Sequence, residues 1–217
     1  MRNTNLKLFN NQVIIDRILD SSFNYWSLPL IRMLEWHTFE ELCCFIIKSG
    51  GYETEHSSIG PDGGIDIKIF KTSNGKQIYC GIAQCKAYCK QKIQEKQARE
   101  FLGVLMNEKL SRGFYFTASS FSEKAYNLLK NNGVIPYDGH GILKLINKIP
   151  EEKGKLYLTQ LTTKDFITPV CINCKIKMTL RQNNKKGTDF WGCTNFPKCS
   201  NHYEVKDYIE ILINNPD

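Results

Sequence analysis

Three residues in the middle of the chain have the types and the spacing needed to hold a divalent cation. Asp66 lies in an apolar run typical of a strand, and Gln84 and Lys86 lie two residues apart at the end of a second such run, 77–86. Because alternate residues of a strand point to one face, Gln84 and Lys86 share a face. A carboxylate, an amide oxygen and an ammonium group can then meet at one site.

The chemistry that this arrangement favours is hydrolysis of a phosphodiester. Mg²⁺ prefers oxygen ligands and keeps several waters. Such a cation polarises the phosphoryl group and lowers the pKa of a bound water. The ammonium group of Lys86 can orient that water or stabilise the negative charge of the transition state. Asp66, Gln84 and Lys86 are therefore candidate catalytic residues, with Asp66 and Gln84 as the candidate Mg²⁺ ligands.

Two adjacent glutamates lie near the start of a predicted amphipathic helix, and we expect different roles for them. Glu41 lies three residues after Thr38, a spacing that predicts a capping box. Glu40 shares its side of the helix with the apolar Cys44 and Ile47. A carboxylate on such a buried face needs a partner, and a metal site provides one. Glu40 is therefore a fourth candidate catalytic residue, and Glu41 is expected to be structural.

Other polar residues of this region are expected to shape the backbone. Asp62 follows Pro61, and Asp138 precedes a glycine, so both are predicted to form turns. Thr117 ends a short aromatic run and is predicted to pack in the core.

Four of the nine cysteines form a second candidate metal site near the C-terminus. Cys171 and Cys174 form a CxxC pair, and eighteen residues separate them from a second pair, Cys193 and Cys199. Four thiolates give a closed tetrahedral site, which is typical of structural zinc. The remaining five cysteines do not converge by spacing and are expected to be reduced bystanders.

The cysteine-rich segment also has the composition of a nucleic-acid-binding module. Cations can bind backbone phosphates while aromatic rings stack on exposed bases. The residues predicted to contact DNA are Lys175, Lys177, Arg181, Lys185, Lys186, Trp191 and Lys198. Alternatively, Trp191 and its aromatic neighbours form the small core of the module.

The surrounding elements indicate an α/β fold in which helices flank a mixed sheet. Periodicity and turn residues predict the order helix, two strands, helix, strand, helix, strand, helix. We divide the chain into an N-terminal helical extension (1–35), an α/β domain (36–150), a charged linker (151–166) and the cysteine module (167–217).

Short motifs in the α/β domain resemble the Mrr-like branch of the PD-(D/E)xK superfamily of restriction-endonuclease-like proteins. The resemblance covers roughly 36–148. The motifs are Phe39-Glu40, Asp62-Gly63-Gly64-Ile65-Asp66, Gln84-Cys85-Lys86, Phe116-Thr117-Ala118-Ser119 and Tyr137-Asp138-Gly139.

This resemblance implies a role for each candidate residue. Asp66 would be the central metal ligand, Lys86 the motif lysine, and Glu40 the glutamate that the family carries on a helix. Gln84 occupies a position that is acidic in most of the superfamily but is usually glutamine in the Mrr-like branch. The amide oxygen can still bind metal or water, although the site then has one negative charge fewer.

The cysteine module resembles the C-terminal zinc ribbons of bacterial type I DNA topoisomerases. The resemblance covers about 169–203 and rests on the cysteine spacing together with Phe190-Trp191-Gly192-Cys193 and Asn195-Phe196-Pro197-Lys198-Cys199. It implies a Zn²⁺ site and contact with DNA. A chain of 217 residues cannot hold the multidomain body of such an enzyme.

Taken together, these patterns predict a DNA endonuclease that uses Mg²⁺ or Mn²⁺ and carries a structural Zn²⁺. The resemblance implies restriction or defence against foreign or modified DNA. The alternatives are a non-catalytic DNA-binding protein on the same fold and a repair nuclease for branched or damaged DNA. Double-strand cleavage with one site per chain would favour a homodimer.

The composition permits an anionic partner and argues against a membrane protein. The formal charge is +7, and no run approaches the roughly 20 apolar residues of a membrane span. No secretory signal is recognisable at the N-terminus. We therefore expect a cytoplasmic protein with no membrane contact.

Overall fold

The computed structural model describes residues 2–57 and 64–213, with side chains for 11–57 and 64–212. Its helices are α1 (Arg2–Leu19), α2 (Leu28–Met33), α3 (Trp36–Ser49), α4 (Glu95–Asn107), α5 (Glu123–Asn131), α6 (Gly139–Ile146), α7 (Glu151–Thr162) and α8 (Tyr208–Ile213). Its strands are β1 (Glu53–His56), β2 (Ile67–Ser73), β3 (Lys76–Lys86), β4 (Gly113–Thr117), β5 (Val134–Tyr137), β6 (Thr179–Asn183), β7 (Thr188–Gly192) and β8 (His202–Glu204). In these residues, no helix combines the length and the apolar character that crossing a membrane requires.

Five strands form a mixed sheet in the order β1-β2-β3-β4-β5, which confirms the predicted α/β fold. β1, β2 and β3 are antiparallel neighbours, whereas β3, β4 and β5 run parallel. The hairpin between β2 and β3 turns at Asn74 and Gly75, whose φ angles are 51° and 73°. Both residues tolerate left-handed backbone, so this turn reverses the chain with little strain.

The parallel pairing brings the site residues to one edge of the sheet. β3 and β4 pair Gln84 with Tyr115 and Lys86 with Thr117, so both strands end at the same level. Asp66 immediately precedes β2, and its backbone N–H donates to Ala83 of β3 at 3.0 Å. The start of β2 therefore lies beside the end of β3.

The start of α3 differs from the prediction, because Glu35 is the N-cap. The Glu35 carboxylate accepts hydrogen bonds from the N–H groups of His37 (3.1 Å) and Thr38 (3.0 Å) and from the Thr38 hydroxyl (2.8 Å). The predicted capping box of Thr38 and Glu41 was wrong. Glu41 is exposed and faces His37 at 4.0 Å instead.

Side chains also cap two later helices. Ser122 caps α5 by accepting from the N–H of Ala125 at 3.3 Å. Asp138 caps α6 through a 2.7 Å bond from the N–H of Gly141 rather than forming a simple turn. Asp62 lies outside the described residues.

The segment 151–166, predicted to be a linker, contains the helix α7. Leu158 and Leu161 of this helix are 1% and 7% exposed, and Phe166 after it is 1% exposed. These side chains belong to the same hydrophobic cluster as residues of α3, the sheet and the cysteine module. The chain therefore passes from the α/β domain to the cysteine module through a packed helix. The domain boundaries remain predictions.

The burial of α7 predicts a specific stability effect. Leu158→Ala leaves a cavity in the shared cluster, so we expect the free energy of unfolding to fall by about 2–5 kcal/mol in urea denaturation. Leu156→Ala is the matched control, because Leu156 is on the same helix and 60% exposed. Equal effects of the two substitutions would contradict the packing of α7.

Candidate active site

Asp66 and Gln84 meet at the end of β3, as the sequence predicts. Oδ2 of Asp66 accepts a hydrogen bond from the backbone N–H of Cys85 at 2.5 Å and another from Nε2 of Gln84. The amide nitrogen of Gln84 thus faces the carboxylate. For Gln84 to act as the predicted metal ligand, its amide must turn over so that the oxygen faces the cation.

Gly64 leaves the space in which the Gln84 amide lies. Its φ is +92°, and Oε1 of Gln84 is 3.0 Å from the position that a Cβ on Gly64 would occupy. Any other residue there would meet both unfavourable backbone conformation and the amide oxygen. Gly64 is therefore part of the site.

Glu40 faces the same site from α3. Burial, together with the negative charge of Asp66, raises the pKa of Glu40 to about 8, and the nearby charge of Lys86 opposes that rise. Burial likewise raises the pKa of Asp66, with Lys86 again opposing the shift. Two buried carboxyl groups that destabilise each other's charge form a donor set that a divalent cation would stabilise. Glu40, Asp66 and Gln84 therefore fit Mg²⁺ or Mn²⁺.

Lys86 is partly buried, and two residues of the β4 exit hold its backbone. The Lys86 carbonyl accepts hydrogen bonds from the Thr117 hydroxyl (3.0 Å) and the Ala118 N–H (3.2 Å). The Thr117 hydroxyl also lies 3.1 Å from the hydroxyl of Ser119, which donates to Gln91 at 2.7 Å. Sequence analysis missed this role, although two hydroxyl residues directly after an aromatic strand could have suggested it.

A cleft of about 640 Å³ opens onto these residues. Glu40, Asp66 and Lys86 line one side, and Ile172 and Tyr203 of the cysteine module are among the residues on the other. A larger cavity of about 870 Å³ lies beside the first residues of β4 and β5, and none of the candidate catalytic residues lines it. Glu40, Asp66 and Lys86 therefore line the smaller of these two cavities.

The four cysteines of the C-terminal module form a site that can hold Zn²⁺. Their sulfur atoms lie within 4.8 Å of one another, and those of Cys171 and Cys199 are 3.8 Å apart. Tetrahedral zinc with Zn–S bonds of about 2.3 Å requires sulfur atoms roughly 3.8 Å apart. N–H groups of Asn195 and Asn201 point at three of the sulfur atoms at 3.4–3.6 Å, as donors around a thiolate site would.

Hydrogen bonds attach this module to the start of α3. Glu35 is 3% exposed, and its carboxylate also accepts from the N–H of Val170 at 3.4 Å. The indole N–H of Trp36 donates to the Val170 carbonyl at 2.8 Å, and the Glu35 N–H donates to Phe166 at 2.9 Å. The ammonium group of Lys206 donates to carbonyl groups at the end of α2. The cysteine module is therefore packed beside α3.

The residues predicted to contact DNA differ in their availability. Lys177 donates to the carbonyl groups of Asp165 (2.7 Å) and Thr168 (2.6 Å), so its charge supports the fold. Lys177 is exposed, and so are the other four lysines of the set, Lys175, Lys185, Lys186 and Lys198. These four remain predicted phosphate contacts.

The aromatic prediction needs a correction. Trp191 is 4% exposed and packs in the hydrophobic cluster, so its ring is not available to stack on a base. Phe196 is 59% exposed, and the guanidinium group of Arg181 lies 5.5 Å from the centre of its ring. The ring of Phe196 is therefore exposed, whereas Arg181 is half-buried and donates to the Cys193 carbonyl at 3.2 Å.

Comparison with known proteins gives one family match. The profile of a family described as restriction endonuclease, Mrr_cat, matches residues 31–146. A comparison with curated proteins gives no match.

Solved structures with a similar fold include two restriction endonucleases. MspJI in complex with a 27-mer oligonucleotide is 18% identical with a TM-score of 0.42, over 60% of this chain and 32% of that one. The DNA modification-dependent restriction endonuclease AspBHI is 14% identical with a TM-score of 0.44, over 75% of this chain and 40% of that one. AF1548, a protein of unknown function, is 16% identical with a TM-score of 0.38, over 50% of this chain and 65% of that one. This chain thus matches less than two thirds of the length of each.

The pKa of Glu40 predicts how cation binding depends on pH. Below about pH 8 the Glu40 carboxyl holds a proton that a bound cation must displace, so affinity for Mn²⁺ should rise with pH and level off above that value. Calorimetric titration across this range measures the effect, and Glu40→Gln should flatten the profile. An equally flat profile in the unsubstituted protein would contradict the assignment of Glu40 as a group that binds the cation.

The cysteine geometry predicts a zinc complement that depends on all four thiols. Cys193→Ser removes one thiolate and should release zinc, as measured by elemental analysis of the purified protein. Cys80→Ser is the matched control, because Cys80 is partly buried but lies outside the cluster. If the unsubstituted protein contains no zinc, the predicted metal site is wrong.

Proposed function

Because this chain belongs to the restriction endonuclease family Mrr_cat, which matches residues 31–146, we propose that it is a metal-dependent DNA endonuclease of a restriction or defence system. The observation that carries this proposal is the convergence of Glu40, Asp66 and Lys86 on one cleft. Two carboxylates beside an amine form a set that phosphodiester hydrolysis can use, and the described site lacks none of the residues expected for it.

Asp66 and Glu40 would hold the divalent cation, and Gln84 would offer a third oxygen if its amide is turned over. When bound, the cation contributes Lewis-acid polarisation of the scissile phosphate. Because the pKa of Glu40 is raised to about 8, this carboxyl carries a proton at neutral pH, and a bound cation would displace it. The Glu40 carboxyl therefore exchanges a proton for the cation at this site.

Lys86 has the second chemical role. Its ammonium group lies close enough to Asp66 and Glu40 to affect the pKa of both. From this position it can orient the attacking water and stabilise the negative charge that develops on the phosphate. Thr117 positions the lysine through its backbone carbonyl, and so acts on the reaction indirectly.

The exposed basic residues of the cysteine module support DNA as the partner. Lys185 and Lys186 lie at the turn between β6 and β7, and Lys198 lies between the last two cysteines. Cations in these positions can bind the phosphate backbone without reading its sequence. We propose that this surface holds DNA while the cleft at Asp66 cuts it.

The proposed chemistry predicts a large and selective effect at Lys86. Lys86→Ala should reduce Mg²⁺-dependent cleavage of plasmid DNA by about 10²- to 10⁴-fold with little change in DNA affinity. Lys76→Ala is the matched control, since Lys76 is exposed at the opposite end of the same strand. Comparable cleavage by both variants would refute the assignment of Lys86.

A further inference from the structure

The walls of the cleft differ in chemical character from the exposed surface of the cysteine module. Apolar and aromatic side chains dominate, and Trp36 and Tyr88 of the α/β domain line the same space as Ile172 and Tyr203 of the module. The volume, about 640 Å³, is within the range of small-molecule sites. Such a surface suits a flat, partly apolar group.

Hydrogen bonds hold two of these aromatic rings in place. The indole N–H of Trp36 donates to the Val170 carbonyl at 2.8 Å, and the Tyr203 hydroxyl accepts from the N–H of Ile172 at 3.1 Å. Both partners flank Cys171, so the zinc-site backbone orients the two rings. Both residues are partly exposed, and a ring already held in place costs less to order on binding.

The charges of the cleft argue against a phosphate channel. Its lining includes Lys86 and Lys206, but the Lys206 ammonium group donates to two backbone carbonyls of α2 and its exit. Glu40, Asp66 and Glu204 supply negative charge on the same walls. A phosphate is therefore favoured beside Lys86, whereas the rest of the cleft favours an uncharged base.

We propose that this cleft takes up one unstacked base of the DNA strand next to the scissile phosphate, with Tyr203 and Trp36 as its stacking surfaces. The inference rests on the proposed nuclease function and names its substrate class: DNA with an unpaired or easily unpaired base at the cut. Fully paired DNA must first lose a base from its stack, and this costs free energy that an already unpaired base does not require.

Cleavage of matched oligonucleotides tests the substrate class. The full-length protein with Mg²⁺ is given a paired duplex, the same duplex with a single-base bulge, and the single strand. We expect the bulged or single-stranded DNA to be cleaved at least about tenfold faster than the paired duplex, because it avoids the cost of unstacking. Tyr203→Leu should remove this preference, and Tyr203→Phe should retain it because the ring remains. Equal rates on all three substrates, or a preference unaffected by Tyr203→Leu, would overturn the proposal.

A binding experiment separates this proposal from the nuclease function. The base analogue 2-aminopurine at the bulge loses fluorescence when it stacks on an aromatic ring. We expect the fluorescence of this base to be quenched more strongly by the Lys86→Ala variant than by the double variant that also carries Tyr203→Leu. A protein that cuts no DNA but shows this Tyr203-dependent quenching would refute the proposed nuclease and support the base site. Cleavage without such quenching would support the proposed nuclease and refute the base site. Zinc content and circular dichroism identify any variant that has lost its fold. If Tyr203→Leu has lost it, the substrate preference and the quenching measured with Tyr203→Phe decide between the outcomes.

Discussion

The arrangement of this protein depends on one buried carboxylate, that of Glu35. It satisfies N–H groups at the start of α3 that would otherwise lack partners inside the protein, and it also accepts from the backbone of the cysteine module at Val170. At 3% exposure, such a group is costly unless it is fully hydrogen-bonded. The same carboxylate thus determines where the catalytic helix begins and where the zinc module rests against it.

The candidate catalytic groups follow from this constraint. Glu40 lies just over one turn after Glu35, so the start of α3 determines which direction Glu40 faces. The two strands that carry Asp66 and Lys86 supply the other side of the site. Burial and the charge of Asp66 raise the pKa of Glu40, so its charged form is held at an electrostatic cost. A site of this kind is stabilised by the cation that it is proposed to use.

Packing links the four-cysteine cluster to the rest of the protein. Cysteines of this cluster share one hydrophobic cluster with α3, α7 and the sheet. Residues of the cysteine module also line the cleft that contains Asp66 and Lys86. Whatever holds the four cysteines together therefore also shapes that cleft.

The sequence by itself determined the features that depend on neighbouring residues: the strands around Asp66 and Lys86, the turn at Gly75, and the spacing of the four cysteines. Only the tertiary structure decided that Glu35 caps α3, since its ribbon partner Val170 lies 135 residues away. It likewise decided that residues 151–162 form a packed helix and that Trp191 is buried. Periodicity, turn residues and ligand spacing are local properties of the chain. Burial and long-range hydrogen bonds exist only once distant segments have packed together.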